Sequence, residues 1–278
     1  MRPLAVIATM HGKERVLAPL LETELGFDTT LAQGLDTDLF GTFTGEVARL
    51  GTQLEAARAK AELALRLSPD ARFAVASEGS FGPHPAMPLI PGGHELVLLL
   101  DRETGQEVLG HHVTAKTNYR QALIASPEEA LRFAEHAGFP THALVVGRCP
   151  SGEIAAAEPV AKAVQAQDRL LELANDLIAR DGHFVLSTDM RAHLNPTRMT
   201  AIEAAGRDLV TGYASRCRAC DRPGFVVNER ILGLPCGDCG TPTRMTLAEV
   251  RRCVGCGETE RRDIPGMADP TWCDECNP

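Results

Sequence analysis

Eight of the nine cysteines lie between residues 217 and 276, in four Cys-x-x-Cys pairs: Cys217/Cys220, Cys236/Cys239, Cys253/Cys256 and Cys273/Cys276. A Cys-x-x-Cys turn presents two thiolates to one tetrahedral ion, and a second turn completes the set. Fifteen residues separate the first two pairs and sixteen the last two, the spacing of a zinc ribbon. Glycines in CGDCG and CVGCG fall where such knuckles bend tightly. The pattern predicts two structural zinc sites. Sequential pairing is the simplest arrangement, and a crossed one is also open. Four thiolates leave no position for water, so no catalytic zinc is expected. The competing reading is a disulfide framework, but nothing indicates secretion and cytosolic disulfides are rare. A redox Cys-x-x-Cys normally occurs once, after a strand.

A second set of residues has the types that handle phosphate. His11, Gly12 and Lys13 follow a first predicted strand and open a helix. Backbone N–H groups at a helix start, with a lysine, suit an anion. Glu78 is expected to end the strand ARFAVAS, before a turn rich in Gly and Pro. A carboxylate there suits Mg²⁺, which takes oxygen ligands and bridges phosphates. Asp189, Arg191 and His193 follow the strand HFVLST, and Arg198 lies on the next helix turn. The helix before Glu78 carries Glu55 and Lys60. Helical geometry puts these two roughly on opposite sides, so Glu55 reaches a common site only over the helix end. Two solvated charges on an exposed face is the plainer reading of that pair.

The elements that must position these residues alternate. PLAVIAT is a strand, and Lys13–Leu25 is an amphipathic helix with Val16, Leu17, Leu20 and Leu21 on one face. Residues 34–50 read as an exposed loop, and Gln53–Leu67 as a helix whose Ala57, Ala61 and Ala64 form a close-packing stripe. ELVLLLD and QEVLGHHV are strands joined by a turn at RETG. SPEEALRFAEHAG is a helix that Ser126 caps, with Glu129 at the capping-box position. THALVVG is a strand, Val160–Arg180 a long helix, HFVLST a strand, and Asn195–Val210 a final helix with Pro196 in its first turn. Alternation of this kind predicts an α/β domain with a mixed sheet and flanking helices over residues 1–213, followed by tandem zinc ribbons over 214–278. Ligands in such folds sit at strand ends.

Composition narrows the function classes. The formal net charge of -9 argues against a general polyanion binder. Residues 217–278 hold eight Arg and ten Asp or Glu, which weighs against nucleic acid as their partner. Docking a protein, or stabilising the fold, is the expected role of that module. No apolar run approaches membrane-spanning length, and no cleavable leader is evident, so a cytoplasmic protein without membrane contact is expected. Aromatics make up only 4% of the chain, so the core must be aliphatic.

In order, VIATMHGK, QLEAARAKAELA and FAVASEGSFG resemble the motifs of the inosine triphosphate pyrophosphatase superfamily. Thr9 and Lys13, then Glu55, Ala57, Lys60 and Ala61, then Glu78, match its positions. The resemblance covers about residues 4–82. It implies an elongated α/β fold with a central cleft and Mg²⁺-dependent cleavage of a nucleoside triphosphate to monophosphate and pyrophosphate. Lys13 and Lys60 would hold phosphates, and Glu55 and Glu78 would hold Mg²⁺ or orient water. Thr9, His11, His193 and Arg198 would contact the substrate. The sequence departs from that pattern at His11, where Asn is usual, and at Ser77–Glu78, where two acids are usual. A Ser-His-Arg motif is replaced by AHLNPTRM at 192–199. The whole chain is also similar to a bacterial family carrying EGSFGPHP, TDMRAHLNPTRM and paired cysteine knuckles, a likeness that brings no activity with it.

Three functions stay open: a Mg²⁺-dependent pyrophosphohydrolase, a non-hydrolytic nucleotide sensor that docks a partner through the ribbons, and a ribbon protein acting on nucleic acid. A homodimer is compatible with each. Glu46 is a further candidate acid, and Thr117, Asn118 and Tyr119 form a polar loop cluster. His111, His112 and Cys149 read as structural or surface residues.

Overall fold

The computed structural model describes residues 2–40 and 51–278, so Glu46 and most of the predicted loop at 34–50 lie outside it. The chain divides into two compact units, Met1–Val210 and Thr211–Pro278.

The first unit contains two sheets. One has the order β2-β1-β3-β4-β5, built from β1 (Leu4–Ala8), β2 (Asp28–Leu31), β3 (Phe73–His84), β4 (Met87–Asp101) and β5 (Glu107–Thr114). β1 runs parallel to β2 and β3, whereas β3, β4 and β5 are antiparallel. Helices α1 (Glu14–Glu24) and α2 (Gln53–Leu67) make the parallel crossovers. The alanine stripe of α2 meets Val6, Ala8, Ala74, Ala76, Leu96, Leu98 and Leu100 on one face of this sheet. Small side chains on the helix let it sit close to the branched residues of the strands. On the opposite face, α5 (Pro196–Ala214) reaches β5 so closely that a Cβ at Gly110 would lie 2.2 Å from the Ala205 carbonyl oxygen.

The second sheet is antiparallel throughout, with the order β6-β9-β7-β8. It comprises β6 (Gln121–Ile124), β7 (Leu144–Arg148), β8 (Glu158–Val164) and β9 (Phe184–Thr188). Its apolar residues pack with those of α3 (Pro127–Ala137) and α4 (Gln167–Asp181). The Ser126 hydroxyl accepts the Glu129 N–H as an N-cap, and the Glu129 carboxylate accepts the N–H of Ala125.

The mixed α/β architecture agrees with the sequence reading, but two elements differ. β3 does not stop at Glu78; it runs six residues further and pairs with β4 in a long hairpin. Gly79 and Gly82 are extended there, because the cross-strand ladder satisfies their backbone groups. The long helix expected from Val160 starts only at Gln167. Residues 158–164 instead pair with β7 as β8, where the branched side chains of PVAKAV suit a sheet edge. Among the described residues no central cleft is shown. Of the cavities lined by described residues, one of about 580 Å³ lies among Glu62, Arg66, Arg102 and Glu107. Another of about 280 Å³ lies among Arg15, His193, Met199 and Glu203.

The second unit is a three-stranded antiparallel meander of β10 (Val227–Leu232), β11 (Thr246–Arg252) and β12 (Thr259–Asp263). Among the described residues, no helix is long and apolar enough to cross a membrane.

Candidate functional site

The N-terminal candidate begins where β1 ends. The chain turns through Gly12, whose φ of +72° is the left-handed conformation that favours glycine. Lys13 follows at the N-cap of α1. Its side chain crosses to β3, where the ammonium donates to the Ser77 carbonyl at 3.0 Å. This carbonyl lies just past the last β1–β3 partners, Ala8 and Ala76. Lys13 is therefore at the carboxyl end of the parallel strands, the usual ligand position in α/β sheets.

Two buried ion pairs flank it on opposite faces of the β3–β4 hairpin. On the α2 face, the Lys60 ammonium pairs with the Glu78 carboxylate, and both side chains are buried. Gln53 braces this corner by donating to the carbonyls of Glu78 and His94 at 2.6 and 2.9 Å. On the α5 face, Arg198 Nε donates to Glu95 Oε1 at 2.8 Å, with both side chains only 1% exposed. Arg198 also donates to the Met190 carbonyl and lies 5.4 Å from the centre of the Phe81 ring. Gly79 makes room for this pair: a Cβ there would lie 2.6 Å from both Arg198 Nη2 and Glu95 Oε1.

Burial dominates the electrostatics of Lys13. Desolvation first, then the like charges of Arg198 and Lys60, pull its pKa down to about 7 against the pull of Glu78 and Glu95. With Lys13 charged, the cluster holds three cations and two carboxylates.

The other expected site residues are placed as follows. The Thr9 hydroxyl accepts the His11 N–H at 3.2 Å. The His11 and His193 rings stack with centroids 5.2 Å apart, and His193 lines the 280 Å³ cavity. Burial lowers the His193 pKa. Glu55 is not brought to Lys60 and Glu78. It closes a capping box, its carboxylate accepting the Thr52 N–H at 2.6 Å while Thr52 Oγ1 accepts the N–H of Glu55. These bonds hold its pKa below the usual carboxylate range. Asp189 forms an ion pair with Arg191 and caps local backbone. Asn118 and Asn195 bond at 2.9 Å, and Tyr119 stacks on Phe81.

The eight C-terminal cysteines form two four-thiol groups: Cys217, Cys220, Cys253 and Cys256; and Cys236, Cys239, Cys273 and Cys276. Within each group the sulfur atoms lie within 4.8 Å of one another. Of the two pairings the sequence leaves open, the grouping is the crossed, interleaved one, and the meander explains it. Single strands separate the first three knuckles, and β12 lies between the third and fourth. Each antiparallel strand carries the chain to the opposite end of the sheet, so alternate knuckles meet. Backbone N–H groups of Cys256 and Gly255 help pull the Cys253 thiol down to about 6. The Thr241 hydroxyl and N–H do so for Cys239, also to about 6. Donors of this kind stabilise the thiolate form that zinc requires, whereas Cys220, Cys256 and Cys276 in the same groups are shifted upward.

Residues 60–278 match DUF6671, a domain of unknown function. The chain belongs to the DUF6671 family. The match begins at Lys60 and therefore spans Glu78, Glu95, Arg198 and all eight paired cysteines, while Lys13 precedes it. No curated protein matches the chain. Within this DUF6671 chain, Glu95 and Gln53 are site residues that the motif reading overlooked. Glu95 had a signal: it is the lone acid leading into an apolar strand, and a buried charge requires a partner. Gln53 had none, because its acceptors lie 25 and 41 residues away.

Proposed function

We propose that the chain binds a nucleoside triphosphate through Lys13, Lys60 and Arg198 and hydrolyses it to the monophosphate and pyrophosphate. The observation that carries this reading is the buried surplus of positive charge at the carboxyl end of the parallel strands. Such a surplus is costly in isolation and is offset by a bound anion. The motif order that resembles inosine triphosphate pyrophosphatases is a second support.

Mg²⁺ would be held here only sparsely. Among the described residues, only the cysteines gather as three or more metal donors, so the acids form no cage. Mg²⁺ commonly uses one or two carboxylates together with substrate phosphates, and Glu78 is the acid that would hold it. When bound, the ion would neutralise charge along the phosphate chain. Lys13 and Lys60 would orient the phosphates. Transfer of Lys60 onto them would free Glu78 from its ion pair. Water oriented by Glu78 would then add to the α-phosphorus as the bridging P–O bond breaks, its proton passing to solvent and pyrophosphate leaving.

A second reading is nucleotide binding without turnover, with the zinc-type module docking a protein partner. It is favoured by one observation: Glu78 and Glu95 are both engaged by cations, and Glu55 caps a helix. Pyrophosphate release from standard and damaged nucleoside triphosphates with Mg²⁺ separates the two. The proposal expects release by the wild type and at least ~100-fold loss in Glu78→Gln. Saturable binding without release establishes the second reading. Failure to bind any nucleotide refutes both.

A further inference from the structure

We infer that the Ser77 hydroxyl, on the α5 face of the β3–β4 hairpin, and the Lys13 ammonium held by the Ser77 carbonyl form an oxyanion subsite for a phosphoryl group of the nucleotide. The inference rests on the phosphate reading above and assigns it a new residue. Ser77 is 2% exposed. Among the described residues, its Oγ is the buried side-chain polar atom without a hydrogen-bond partner. Folded chains satisfy nearly all such groups, so a buried hydroxyl left over beside a charged cluster points to a ligand.

The surroundings select the ligand's charge. The Ser77 carbonyl holds Lys13, so hydroxyl and ammonium belong to adjoining groups. Strand alternation puts the Ser77 side chain on the face of Gly79 and its cross-strand partner Glu95, the face that receives Arg198. Glu95 directs its two oxygens at Arg198, at 2.8 and 3.4 Å. Glu78 lies on the other face with Lys60. Arg198 and Glu95 share the hydroxyl's face and are engaged with each other, and Lys13 adds a positive charge at the Ser77 backbone. A metal cation would be repelled there, and an oxygen bearing negative charge is the complement.

The test is calorimetric titration of the zinc-loaded full chain and of Ser77→Ala with inosine triphosphate, adenosine triphosphate, inorganic pyrophosphate and inorganic triphosphate, without added Mg²⁺. Thermal unfolding without ligand is run in parallel. The expected loss in Ser77→Ala is about tenfold to a hundredfold in affinity, the usual range for a hydrogen bond to a charged group. Its melting temperature should match or exceed that of the wild type, since the variant removes a buried hydroxyl with no partner. Equal loss for pyrophosphate or inorganic triphosphate assigns the hydroxyl to the phosphates. A loss for the nucleoside triphosphates that neither pyrophosphate nor inorganic triphosphate shares assigns it to the nucleoside and overturns the oxyanion subsite. Equal affinity of both proteins overturns the inference but leaves the phosphate reading intact. Weaker binding with a lowered melting temperature marks a structural role and also overturns it. If the wild type binds none of the four probes, the phosphate reading itself fails.

Discussion

Replacing Arg198 with Met strands the Glu95 carboxylate at a position where each partner of the pair is 1% exposed. Removing one member of a buried ion pair costs about 3–5 kcal/mol, because the other charge is left without compensation. Arg198→Met belongs near the upper end, since Arg198 supplies both donors to Glu95. Glu95→Leu belongs near the lower end, since Arg198 keeps its bond to the Met190 carbonyl and its place over Phe81. For a unit of this size, about 1 kcal/mol shifts the melting temperature by roughly 2–4 °C, so each single variant should lose about 6–20 °C. The double variant replaces a charged pair with apolar side chains, a change often near neutral. It should therefore cost at least ~2 kcal/mol less than the sum of the singles, within the usual range of couplings. Urea unfolding followed by far-ultraviolet circular dichroism is the suitable assay. The single tryptophan, Trp272, lies in the other unit and would report the wrong transition. Strictly additive losses, or single losses below ~1 kcal/mol, would refute a buried, coupled pair.

Four further outcomes are expected. The Lys13 pKa falls from 10.5 unfolded to about 7 folded, among Arg198, Lys60, Glu78 and Glu95, so between these values the unfolded chain binds more protons. Stability should therefore rise with pH across that window, by at most ~1.4 kcal/mol per unit from this group; chemical unfolding at pH 7.5 and 9 should show a smaller rise in Lys13→Met, and parallel curves would contradict it. Nucleotide affinity should fall as pH rises above about 7, as Lys13 loses its charge, and isothermal titration over pH 6–9 checks this. For the thiols, Cys217→Ser/Cys253→Ser should retain one zinc of two by elemental analysis, because both residues belong to one group; sequential pairing would lose both ions. Glu55→Ala should cost about 0.5–1 kcal/mol of stability through the lost cap, while nucleotide affinity stays unchanged in the same titration.

Much of this molecule was legible without coordinates, for reasons of range. The helix at Gln53–Leu67, its alanine stripe and the Ser126 cap follow from contacts within about one helical turn. The two-zinc expectation follows from thiols three residues apart. The sequence alone predicts a shorter β3, because Gly79 and Gly82 look like turn residues until a partner strand supplies their hydrogen bonds. The sequence alone predicts helix from Val160 because PVAKAV carries no local signal strong enough to oppose one, and the pairing of β8 with β7 decides for strand.

Sequence by itself determined the local parts: which segments could form elements, which cysteines could share a knuckle, and that Lys13, Lys60 and Glu78 have phosphate-handling types. Only the tertiary structure decided which charge meets which. Arg198 meets Glu95 across 103 residues, and Lys13 meets Ser77 across 64, while Glu55, from the same helix as Lys60, turns to a cap. The knuckles pair first with third and second with fourth because antiparallel strands reverse the chain between them. The physical reason is common to all of these: strand order and register bring distant side chains together, and burial then makes each charge depend on the neighbour that register supplies.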